Sequence, residues 1–183
     1  MRTAFPSARC LGALLLACAG TLGLASCGES KPSLARELGG KKPPELDVLG
    51  GTWFNVPDGT LSLASCLGKV VYLEFGFATC PGCHFMAPNM QQWHAQWAEK
   101  GLVVISVENG PQSPISAIEA EVSAGTLTHP VLHDAEGRNA VLFGIKGFPS
   151  AYLLDRSGKV VWEGVPFRDL PGLEAKIRST LGL

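Results

Sequence analysis

Apolar positions along the chain fall into runs that alternate between strand-like and helix-like spacing. Val70-Val71-Tyr72-Leu73-Glu74-Phe75 is a continuous apolar run of β-branched and aromatic residues, broken by one carboxyl. That is the pattern of a buried strand. After it the spacing becomes helical: Met86, Met90, Trp93 and Trp97 recur at i, i+4, i+7 and i+11, one face of a helix. A helix is predicted from Pro81 to about Lys100, kinked at Pro88 and closed by Gly101. Leu102 to Val107 predicts a second buried strand. Ser113 as N-cap and Pro114 at the first position open another helix, ending near Gly125. A short strand over Leu127 to Leu132, a turn over Asp134 to Gly137 and a short helix to Phe143 follow. Ser150–Leu154 and Lys159–Glu163 flank the turn Asp155-Arg156-Ser157-Gly158 and predict an antiparallel hairpin. The last helix runs from about Asp169 to Leu181, with Leu173, Ile177 and Leu181 on its apolar face. Near the start, Thr52–Val56 and Thr60–Leu63 flank Pro57-Asp58-Gly59, the signature of a further hairpin. The order specifies an α/β sandwich around a central mixed sheet flanked by helices.

Composition fits one domain with an extension: 183 residues, 46% hydrophobic and 17% charged, are enough for a core that needs no disulfide staples. Charge is close to balance and has no long basic run, so a nucleic-acid partner is not supported. The N-terminus changes the picture. Arg2 and Arg9 precede the apolar stretch Leu11 to Leu24, which is too short for a membrane span and ends in Leu24-Ala25-Ser26-Cys27. This resembles a bacterial lipoprotein signal over residues 1–26, with cleavage before Cys27 and lipid on its sulfur. Gly28-Glu29 after it leans towards outer-membrane sorting. Without Arg2 and Arg9, 13 basic residues face 16 acidic ones, a charge of −3. Residues 27–44 read as a flexible tether and 45–183 as the domain. An exported domain sits where disulfides persist.

Candidate chemistry lies where the first strand meets the first helix, at Cys80-Pro81-Gly82-Cys83-His84. Unpaired N–H groups and the positive end of the helix dipole stabilise a thiolate there. Cys80 is therefore expected to have a lowered pKa and to be the nucleophile, with Cys83 one turn on to resolve a mixed disulfide. Glu74, a carboxyl inside an apolar strand, is expected to have a raised pKa and to accept the Cys83 proton. A bare Cys-x-x-Cys is equally a structural disulfide or half a zinc site. Cys80-Pro81-Gly82-Cys83-His84 also matches covalent haem c attachment, with His84 as an axial ligand. A third reading is a binding lipoprotein with a static bridge. Met86, Met90, Trp93 and Trp97 are expected in the core, Cys66 as a buried small residue, and His94, His129 and His133 as surface or hydrogen-bonded groups.

Several elements in order resemble the thioredoxin fold. Glu74 stands six residues before Cys80, Cys83-His84-Phe85-Met86-Ala87-Pro88 matches the run after the second cysteine, and Gly144-Ile145-Lys146-Gly147-Phe148-Pro149-Ser150 matches the cis-proline loop. The inserted helical segment before that loop, the N-terminal hairpin and the export signal resemble the TlpA/ResA-type membrane-tethered thiol–disulfide oxidoreductases. The resemblance implies Cys80 as attacking thiolate, Cys83 as resolver and Pro149 as a cis-proline facing them. It implies a substrate surface of Phe148, Phe77, Pro81 and Gly82, with Phe148 pairing its backbone with an extended substrate. No cofactor beyond a redox-active Cys80–Cys83 disulfide is implied. Expected partners are thiols or disulfides of exported proteins, apocytochrome cysteines among them, and a membrane thiol reductant. Gly76 and Thr79 stand where most relatives carry Trp, and Pro-Gly reverses the thioredoxin dipeptide, so the redox poise does not carry over.

Overall fold

The computed structural model describes residues 37–183. Cys27 and the leader expected over residues 1–26 lie outside the described residues. Six strands form one sheet in the order β1-β4-β3-β2-β5-β6. They are β1 (Thr52–Phe54), β2 (Val70–Gly76), β3 (Leu102–Asn109), β4 (Val131–Asp134), β5 (Ser150–Leu154) and β6 (Val160–Gly164). β2, β3 and β4 run parallel, while β1, β5 and β6 are antiparallel to their neighbours. The helices are α1 (Pro81–Trp97), α2 (Ile115–Ser123), α3 (Arg138–Leu142) and α4 (Leu170–Leu181).

Strand residues alternate between two cores, because successive side chains leave a strand on opposite faces. Val70 and Tyr72 of β2, with Leu102 and Val104 of β3, pack under Met86, Met90, Trp93 and Trp97 of α1 and Leu173 and Ile177 of α4. Val71, Leu73 and Phe75 face the other way, onto Phe143, Tyr152 and Leu132. The helical stripe read from the sequence is thus the face of α1 that is buried. Asp169 caps α4, its side chain accepting from Gly172 N–H at 3.0 Å.

Three expectations are corrected. The N-terminal hairpin does not form: β1 pairs instead with β4, Trp53 opposite Leu132. Asn55 turns the chain with φ 58° and its amide donates to the carbonyls of Leu127 and His129 at 2.8 and 2.9 Å. The second run, Thr60–Leu63, then leaves the sheet, and Leu63 N–H donates to the Glu45 carboxylate at 2.6 Å. Next, the packed chain starts before residue 45. Leu38 is buried, its N–H donates to Glu163, and Gly40 and Lys41 exchange backbone hydrogen bonds with Val160 at 2.8 and 2.9 Å. Finally, α2 is capped without the Ser113 side chain, which is engaged elsewhere.

Candidate active site

The site grows out of the upper end of β2 and β3. Four pairs stand in register on the side facing α1: Val70–Leu102, Tyr72–Val104, Glu74–Ser106 and Gly76–Glu108. The lower two are apolar and belong to the core; the upper two are polar. α1 begins directly above them, with Cys80 as its N-cap and Pro81 at its first position. Proline is suited to that position because its missing N–H would have no partner there. Cys80 and Cys83 form a disulfide, their Cα atoms 5.2 Å apart, and Cys83 N–H donates to Cys80 Sγ at 3.2 Å. Cys80 is 3% exposed, whereas Cys83 is half-buried and opens onto a narrow cleft.

That cleft, about 40 Å³, is lined by Glu74, Ser106, Glu108, His129, Phe77 and His84 among others. The Tyr72 hydroxyl donates to Glu74 Oε2 at 2.5 Å. Burial pushes the Glu74 carboxyl up to about 8; the Tyr72 hydrogen bond opposes this and the charge of Glu108 adds to it. His129 is bonded through Nε2 to Ser106 Oγ at 2.7 Å. Burial, and then His94, pushes its imidazole down to about 3, so the ring is neutral. His129 and His133 are hydrogen-bonded as expected, but both are buried. Cys66 is a buried free thiol.

The Phe148–Pro149 peptide bond is cis. Phe148 and Phe77 meet edge to face, centroids 5.5 Å apart. A Cβ on Gly82 would lie 2.8 Å from Pro149 Cδ and 2.8 Å from Phe167 Cε1, so Gly82 is sandwiched between these two rings. Pro81 is exposed. The structure therefore brings Cys80, Cys83, Pro81, Gly82 and Pro149 to one corner, with Phe77, Phe148 and Glu74 around it. It adds Phe167 and Glu108, which the sequence reading did not single out, and Ser113, which it read only as a helix cap. Phe167 follows β6 in a short turn and is 42% exposed; an exposed aromatic after the final hairpin was the available signal.

The fold is that of thioredoxin-like proteins. The chain belongs to the AhpC/TSA family, whose profile matches residues 40–163. It is 30% identical over 106 residues to the thiol-disulfide oxidoreductase ResA of Oceanobacillus iheyensis, an overlap of 57% of this chain and 54% of that protein. It is 27% identical over 122 residues to protein DipZ of Mycobacterium bovis, covering 64% of this chain and 17% of DipZ. The chain thus spans about half of ResA and under a fifth of DipZ. A crystal structure titled for a thiol:disulfide interchange protein DsbE of Chlorobium tepidum superposes with a TM-score of 0.66 at 29% identity, covering 78% of this chain and 97% of that one.

Proposed function

We propose that this protein is an extracytoplasmic thiol–disulfide oxidoreductase that reduces disulfides of exported proteins, anchored by lipid on Cys27. The observation that carries the activity is the Cys80–Cys83 pair at the N-terminus of α1, set above a buried carboxyl. In this reading the Cys80 thiolate attacks a substrate disulfide. Cys83 loses its proton towards Glu74 and attacks Cys80 Sγ of the mixed disulfide, which forms the Cys80–Cys83 bond and releases the substrate sulfur as thiolate. Phe148 and Phe77 form the substrate wall beside Pro149, and the Phe148 backbone pairs with an extended segment of the substrate. A membrane thiol reductant then restores the dithiol.

The make-up of the cleft supports the reducing direction. A pair becomes strongly oxidising when its reduced form is stabilised as thiolate. Here Glu74, Glu108 and Glu121 line the cleft into which Cys83 opens, with no Lys or Arg among its lining residues, so no cationic side chain of that kind stabilises a second thiolate there. The reduction potential of the purified protein is therefore expected near that of thioredoxin, roughly −270 mV. A value between about −120 and −180 mV, the range of DsbA and protein disulfide isomerase, would reverse the assigned direction. The lack of any reversible couple would indicate a static bridge.

Glu74→Gln is expected to slow resolution on the order of a hundredfold, the lower end for loss of a proton-transfer group, with the fold intact. It also carries a pH signature. The native Glu74 carboxyl titrates near 8 and the unfolded one near 4.5. Between those values the native state binds the extra proton, so stability falls as pH rises through that window. Urea midpoints of the oxidised protein should drop from pH 5 to pH 8, and drop less in Glu74→Gln. Equal slopes in both proteins, with unchanged kinetics, would remove Glu74 from the mechanism.

A further inference from the structure

We propose that Glu108 is a second proton-transfer residue for Cys83, working through the space that Gly76 leaves open between β2 and α1. The inference rests on the thiol–disulfide exchange argued above. Gly76 stands opposite Glu108 in the sheet register. A Cβ on Gly76 would lie 3.0 Å from Cys83 Sγ and 3.7 Å from Glu108 Oε1. The missing side chain therefore leaves a space bordered by the sulfur and by one carboxyl oxygen. Cys83 and Glu108 also both line the cleft of about 40 Å³, which exceeds what one water needs.

The other carboxyl oxygen is held. Ser113 Oγ accepts from Ala78 N–H at 2.7 Å, which leaves its hydroxyl proton for Glu108 Oε2, 3.4 Å away. Ser113 is itself fully buried. This is why Ser113 is not free to cap α2. Its hydroxyl links the carboxyl to the loop that leads into Cys80, and Oε1 is left for the Gly76 space. Burial differs between the two carboxyls. Glu74 is 3% exposed and lies deep in the sheet, whereas Glu108 is half-buried at the end of its strand. Glu108 is thus the port through which protons pass between the cleft and solvent, and Glu74 is the inner site.

The groups facing Glu108 come from every neighbouring element. They are Glu74 of β2, Glu121 of α2, Cys83 and His84 of α1, His129 before β4, and His133, its register partner on β4. His129 is neutral. Burial, with the charge of Glu121 adding and the Ser113 hydrogen bond opposing, pushes the Glu108 carboxyl up to about 7, where it both gives and takes a proton near neutrality.

In the reductive half-reaction a dithiol donor's thiolate bonds to Cys80 Sγ and the Cys80–Cys83 bond breaks. The electron pair stays on Cys83 Sγ, which takes a proton from Glu108 through the Gly76 space, and solvent reprotonates Glu108. The donor's second thiolate then bonds to its first sulfur and releases Cys80 as thiolate. Towards substrate the sequence reverses: Cys83 returns its proton to Glu108 and attacks the mixed disulfide.

The test is single-turnover kinetics of the purified protein between pH 5 and 9. Dithiothreitol serves as donor and bis(2-hydroxyethyl) disulfide as acceptor. The wild-type resolution rate should show an inflection near pH 7. Glu108→Gln should remove that inflection and slow resolution on the order of a hundredfold at pH 7, without changing the pH dependence of Cys80 alkylation by iodoacetamide. Ser113→Ala, which keeps the carboxyl but frees it, should lower the rate while retaining an inflection at a shifted pH. A Glu108→Gln protein with the wild-type profile overturns the proposal. So does one whose rate and urea midpoint fall together while the inflection stays, since that is a structural role. A wild-type protein that exchanges with neither reagent overturns the oxidoreductase reading, and this inference with it.

Discussion

Cys80→Ser is expected to abolish turnover, a loss on the order of 10³-fold or more as for other covalent nucleophiles. Cys83→Ser should instead react once and stop as a mixed disulfide. The two sulfurs differ because their surroundings differ. Cys80 Sγ caps α1 and accepts the Cys83 N–H at 3.2 Å, and the dipole of a helix of 17 residues adds to the stabilisation of a thiolate there. Cys83 opens instead onto a cleft lined by Glu74 and Glu108, which favours the protonated thiol. Turnover with bis(2-hydroxyethyl) disulfide gives the activity, and intact-protein mass spectrometry shows the adduct. An adduct on Cys80→Ser and none on Cys83→Ser would exchange the two roles.

The second large effect concerns the floor of the site. Trp93 is 1% exposed, meets Tyr72 edge to face at 5.2 Å and stacks on Trp97 at 6.5 Å. Trp93→Ala should cost about 3–5 kcal/mol, the usual loss for a buried aromatic that leaves a cavity. Against a total stability of roughly 5–15 kcal/mol for a domain, that is a large fraction. Tyr72 would also lose the ring that positions it, and with it the 2.5 Å hydrogen bond to Glu74. Trp93→Ala should therefore perturb the pH dependence of resolution as well as the urea midpoint, while Trp93→Phe retains much of both. A loss below about 1 kcal/mol would mean that the site collapses around the smaller side chain.

Local pattern was enough for the centre of this protein and not for its margins. The run from Val70 to Phe75 and the spacing of Met86, Met90, Trp93 and Trp97 depend on burial that repeats along the chain, so both are visible without a partner. The Cys-x-x-Cys and the carboxyl six residues before it are equally local. β1 fails for the opposite reason: its partner β4 lies about eighty residues away, and Asp58-Gly59 offers a nearer pairing that Asn55 and Glu45 prevent. Leu38 is a lone apolar residue among glycines and lysines, and it is buried only by joining a core cluster drawn from distant parts of the chain, Leu154 and Val160 among them. Glu108 looks like the polar end of a strand. It gains its position from the parallel register that sets it opposite a glycine, and no short window of sequence contains both.

The sandwiching of Gly82 limits how the redox centre can be retuned. Any side chain at position 82 must displace both the ring of Pro149 and that of Phe167, whereas position 81 points into open solvent. Of the two residues between the cysteines, one is therefore locked and the other is a free dial. Diversification at 81 should yield folded proteins with graded potentials, while position 82 stays closed even when Phe167 is replaced by a smaller residue, because the Pro149 ring still stands 2.8 Å from the added Cβ.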